Sequence, residues 1–195
     1  GYLKHAGDHQ GTGAKYTTTH VERSVQFLRE HNEDFGIDLA LVRPLGRMIK
    51  ATRFAGDFAE IPFESDEEKI AAAILGSADL IGQMSNRDYL ERLLFLYYEF
   101  REANIPGYNT EFDILNKTLA FYELVSKRLA DSFMNVSAHV RTHFKEEHNI
   151  DIDLYDRAIT RQIDYLKKII ADESSNFRKN LHRADWINHE MQGVG

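Results

Sequence analysis

The chain has 195 residues, 43% of them hydrophobic and 28% charged, with a formal net charge of −7. Twelve Phe and nine Tyr exclude a disordered chain, and the absence of Cys excludes disulfides, thiolate metal sites and a cysteine nucleophile together. No Lys/Arg run marks a nucleic-acid surface and no apolar stretch reaches membrane length, and a signal peptide is not expected from the opening residues. The expectation is therefore a cytoplasmic protein with neither a membrane nor a nucleic acid as partner.

Residues 1–15 are polar, contain four glycines and read as a loop. Thr19 to Glu22 has the capping-box pattern, and Val21, Val25 and Leu28 follow at helical spacing, so a helix is expected over 19–32. Asp38 opens a second helix with the stripe Leu39, Val42, Leu45, Met48 and Ile49. Pro44, which lacks an N–H, should kink or shorten it. A loop over 54–64 follows. Ser65 to Glu68 is a second capping-box pattern and starts a helix reaching Met84, with Ile70, Ile74 and Ile81 as its expected inner face. Ser85-Asn86 breaks the chain, and a helix over 87–103 ends before the turn Ile105-Pro106-Gly107. Two long helical stretches are expected after that, 110–147 and 153–182, joined at Asn149 to Asp151. No segment reads as a strand, so the fold class is all-α.

The chemistry-bearing candidates are polar residues in unusual places. Asp79 sits in the apolar run from Ile74 to Met84, where a carboxylate is costly unless it is paired or holds a cation. The alternatives are a solvent-facing rim position or a salt bridge to Arg47 or Arg53. His20 stands in the first turn of its helix, where the helix dipole disfavours imidazolium and leaves a neutral, ligand-ready ring. The alternative is an ordinary exposed helix-end histidine. Gly11 to Lys15 resembles a phosphate cradle, but the P-loop spacing is not met and no strand precedes it, so a surface loop is the competing reading. His139 and His143, four apart, lack a third ligand and read as a solvated face. No nucleophile elbow is present.

Gly1-Tyr2-Leu3, the loop GTGAKYTTTH ending in His20, and the helix GSADLIGQM containing Asp79 resemble parts of an HD-domain protein. That family of metal-dependent phosphohydrolases is named for an H…HD…D signature on a helical bundle. The run from Tyr89 to Phe100 resembles the helix after the last aspartate in bacterial members, and the resemblance covers roughly residues 1–104. It implies an HD-domain-like helical core over 1–108, lacking its amino-terminal part, and a long-helix extension over 109–195.

The resemblance implies that Asp79 is a metal ligand and that His20 corresponds to the additional histidine of two-metal members. Lys15 and Arg53, with Lys50, are candidates to face a bound phosphate, which the family pattern does not fix. The implied cofactor is a divalent metal ion (Mn, Fe, Ni, Co, Zn or Mg), and the implied substrate is a nucleotide or another phosphate ester. A homo-oligomer stays open. The HD pair should lie immediately upstream of Gly1 and is not in this sequence. Where two-metal members often carry a His-His pair, this chain has Ile49 to Arg53. The competing reading is a non-catalytic helical module serving regulation or assembly, because an amphipathic helix beyond a core needs a partner face.

Overall fold

The computed structural model describes residues 1–172 and 176–181, and among them there are helices and no strands. Seven α-helices carry the fold: α1 (His20–His31), α2 (Leu39–Lys50), α3 (Asp66–Ser85), α4 (Tyr89–Glu102), α5 (Glu111–Lys127), α6 (Val140–His148) and α7 (Leu154–Ala171). Local chemistry sets most of their starts. Asp38 accepts from the Ala40 N–H, Ser65 from the Glu68 N–H, and Asp153 from the N–H groups of Tyr155 and Asp156. Thr110 and Asp113 close a complete reciprocal capping box on α5.

The box expected at Thr19 is not made. Thr19 caps nothing, because Glu22 is drawn instead into an ion pair with Arg53. The Ser65 box is made only by half, since the Glu68 carboxylate turns inward to Arg47, at 2.5 and 2.9 Å. Pro44 lies inside α2, which continues past it to Lys50.

Helix α3 is the centre of the bundle, against which α2, α4 and α7 pack. Its buried face is not the isoleucine stripe. Ile70 and Ile74 are 45% and 54% exposed, while Ala72, Ala73, Gly76, Ser77, Leu80 and Met84 are buried. Small residues win this face because the neighbouring chain comes too close for large ones. A Cβ on Gly76 would lie 2.5 Å from the Phe133 ring and 3.2 Å from the Ala51 carbonyl.

Phe133 also explains why the expected 110–147 helix is broken. After α5 the chain makes one wider turn over Arg128–Ser132, and then Met134 and Asn135 both take positive φ, 52° and 54°. This drives Phe133 into the core, where it is fully buried and meets Phe58 edge-on at 5.1 Å. Arg128 fastens the break by donating to the carbonyls of Ala51, Arg53, Phe54 and Gly56.

One apolar core joins Ala72, Leu90 and Leu93 to Ile114, Leu115, Ile163 and Leu166, and so draws on helices from both sides of residue 108. Most buried polar groups are paired, and Ser77 Oγ is the one buried side-chain oxygen without a partner among the described residues. Gln162 donates to the Asn86 and Arg87 carbonyls, and Glu111 takes Arg178 and the Tyr98 hydroxyl. The last expected helix ends at Ala171 and is followed by a 3-10 turn at Phe177–Asn180. The rest of its 153–182 range lies outside the described residues.

Candidate functional site

The amino-terminal loop, α1, α3 and α4 meet in a polar corner. Arg23 on α1 ties the start of the chain to the helix by donating to the Gly1 and Leu3 carbonyls at 2.8 and 2.6 Å. Gly1 and Gly13 are required there for space, since a Cβ on Gly1 would overlap the His20 carbonyl and one on Gly13 would overlap the Tyr2 carbonyl. The close approach lays the Tyr2 ring on His20, with centroids 4.8 Å apart and planes 20° from parallel.

His20 donates from Nδ1 to the Thr17 carbonyl at 2.6 Å, because a carbonyl can only accept. The tautomer is thereby set, and the Nε2 lone pair is left for an outside partner, which is how ligating histidines are commonly held.

Tyr2 links His20 to Asp79. Burial raises the Tyr2 phenol above its usual range and the negative charges of Glu99 and Asp79 raise it further, against a hydrogen bond with the Thr17 side chain. Asp79 is half-buried. Its Oδ1 accepts from Gln83 at 3.0 Å, and among the described residues it has no ion pair. The salt bridge considered for it is excluded: Arg47 is taken by Glu64 and Glu68, and Arg53 by Glu22. Glu99, half-buried on α4, has its carboxyl pushed above the ordinary range by burial first and then by Glu102. The corner thus places one imidazole beside Asp79 and Glu99, two carboxyl groups that make no ion pair among the described residues.

Lys15 and Arg53 do not join it. Lys15 reaches Asp8 at 2.5 Å and the Gln10 carbonyl at 2.8 Å, and Tyr16 donates to the same Asp8 at 2.6 Å. Those hydrogen bonds, the one from Lys15 first, hold the Asp8 carboxyl down at about 2. The loop N–H groups that resembled a phosphate cradle already hold an anion, the Glu102 carboxylate. It accepts from the Thr12 N–H at 2.6 Å, the Thr12 hydroxyl at 2.8 Å and the Lys15 N–H at 3.3 Å. Lys50 and Arg53 instead line a small depression beside Arg128. His139 and His143 are both exposed on their surface.

Two members of the corner escaped the sequence reading. Glu99 left one signal, an acidic residue inside the aromatic run from Tyr97 to Phe100, and Glu102 left none. His20 Nε2 and Asp79 are two suitable donors for a divalent ion. Among the described residues no group of three or more His, Asp or Glu is gathered as a metal-ligand set.

A family model described as Npun_R2479-like matches residues 6–160. No curated protein and no solved structure matches the chain.

Proposed function

We propose that this chain, which belongs to the Npun_R2479-like family, works as a metal-dependent phosphohydrolase of the HD type, acting on a nucleotide or another phosphate ester. The observation that supports the reading best is the convergence of the opening Gly1-Tyr2 on His20 and on the field of Asp79. In the HD pattern a His-Asp pair is joined directly ahead of such a Gly-Tyr. A pair attached there would lie close to His20, whose Nε2 has no partner among the described residues, and within reach of Tyr2, which feels the charge of Asp79; it would add two donors to these.

A divalent ion bound by such a set supplies a water of lowered pKa and charge stabilisation for phosphoryl oxygens. The residues of this chain do the positioning. Thr17 fixes the His20 tautomer through Nδ1, and Gln83 holds Oδ1 of Asp79 and so orients the carboxylate. Tyr2 covers the His20 ring and shields it from water on that side. Glu99, whose carboxyl is raised, is placed to give or take a proton at the edge of the corner.

The test is hydrolysis of p-nitrophenyl phosphate and of a nucleotide panel by the full-length protein with Mn²⁺, Co²⁺ or Zn²⁺. Metal-dependent turnover that falls at least a hundredfold in Asp79→Asn is the expected result. Equal rates in wild type and variant would remove the hydrolase and leave the regulatory or assembly module.

A further inference from the structure

Beside the polar corner, α3, α4 and α5 line a half-open cavity of about 540 Å³. That volume falls in the range of about 300–1,000 Å³ typical of small-molecule sites. Its walls are apolar, with Leu80, Met84, Leu93, Ile114 and Phe121 among them. Polar groups stand at its two ends.

At one end is Lys117. Its ammonium is held by the Gly107 carbonyl and lies 4.3 Å over the Tyr108 ring, which in turn packs on Phe100. No carboxylate lies within ion-pair distance of it among the described residues. The nearby Asp113 feels its charge, but its Oδ2 is committed to the N–H groups of Asn109 and Thr110. At the other end is Tyr89. It is 8% exposed, and its hydroxyl has no hydrogen-bond partner among the described residues. Ser77 Oγ is the one sealed side-chain oxygen without a partner among the described residues, so the Tyr89 hydroxyl is reachable from the cavity it lines and can donate to an acceptor on a ligand. Tyr89 and Phe100 are eleven residues apart on α4, about 16 Å along the axis at the usual helical rise.

We propose that this cavity binds a linear amphiphile about twelve carbons long, with an anionic head at Lys117 and an acceptor oxygen near the opposite end at Tyr89. The proposal does not depend on the hydrolase reading, since binding is measured without turnover.

Calorimetric titration of the full-length protein with 12-hydroxydodecanoate and with dodecanoate, each below its micellar concentration, tests it. Dodecyl phosphate serves as a second head group. The expected result is saturable one-to-one binding, at least fivefold tighter for the hydroxylated chain. Lys117→Met, at an exposed position, should weaken every anionic ligand at least tenfold and leave dodecanol binding unchanged. Tyr89→Phe should erase the advantage of the terminal hydroxyl. Each methylene removed from the chain should weaken binding about fourfold. A tighter carboxylate or a tighter phosphate identifies the head. No saturable binding of any of the anionic chains, or binding unaltered by Lys117→Met, overturns the site. Equal affinity for dodecanoate and its hydroxylated form overturns the assignment of Tyr89.

Discussion

Replacing Glu102 by Ala removes the carboxylate onto which the loop ahead of α1 is folded. Three hydrogen bonds go with it: two from Thr12, at 2.6 and 2.8 Å, and one from the Lys15 N–H at 3.3 Å. Hydrogen bonds to a charged acceptor contribute about 1.5–3 kcal/mol each where water is kept out. Thr12 is exposed, so water replaces much of what is lost, and the set together is worth about 2 kcal/mol. At tenfold per 1.4 kcal/mol, the loop should open about thirtyfold more often. Native-state hydrogen exchange reads this directly. The Thr12 and Lys15 amides should exchange about thirtyfold faster in Glu102→Ala, while amides in the middle of α3 keep their rates. Glu102→Gln, which retains an acceptor without its charge, should fall between. Unchanged exchange at Thr12, or equal acceleration in α3, would refute the idea that Glu102 organises this loop as an internal anion.

Three further outcomes follow from buried or crowded groups. Arg47→Met strands the buried Glu68 carboxylate and should cost about 3–5 kcal/mol in urea unfolding, whereas Arg47→Met with Glu68→Met should recover most of that loss. Glu99 holds its proton more tightly in the folded chain than in the unfolded one, so its contribution is lost as pH rises above the ordinary carboxyl value of 4.5. Glu99→Gln should accordingly raise Tm at pH 7 and leave it unchanged at pH 4, and a Tm gain that is the same at both pH values would contradict the burial argument. Gly76→Val should press on Phe133 and the Ala51 carbonyl and cost about 1–3 kcal/mol, with part of the loss restored by Phe133→Leu.

The helices were legible where their signals are local. Asp38, Ser65 and Asp153 cap the helices they precede, and α1 to α4 begin and end close to where periodicity and turn residues place them. What periodicity does not carry is the closeness of neighbours. It selects Ile70 and Ile74 as core, while the approach of Phe133 and Ala51 selects Gly76 and the alanines. The break after Lys127 is hidden for the same reason. Burial of Phe133 against α3 sets the positive φ at Met134 and Asn135, and no proline or glycine announces it.

In the candidate site, Asp79 and His20 stood out as polar residues at conspicuous positions. The fates of Lys15 and Arg53 did not, because Asp8 and Glu22, which capture them, are ordinary surface acids in sequence. The part of Glu102 depends on a contact across 90 residues, which no spacing reveals.

The central proposal is that His20 and Asp79 contribute two of the donors that hold a divalent ion. Equilibrium dialysis of the full-length protein against Mn²⁺, Co²⁺ and Zn²⁺, with bound metal counted by mass spectrometry, tests it most directly. The account predicts that the wild type retains a tightly bound ion, that Asp79→Asn loses it and His20→Ala weakens it, and that both variants melt like the metal-free wild type. A wild-type protein that retains no metal, or an Asp79→Asn protein that retains as much, would contradict it.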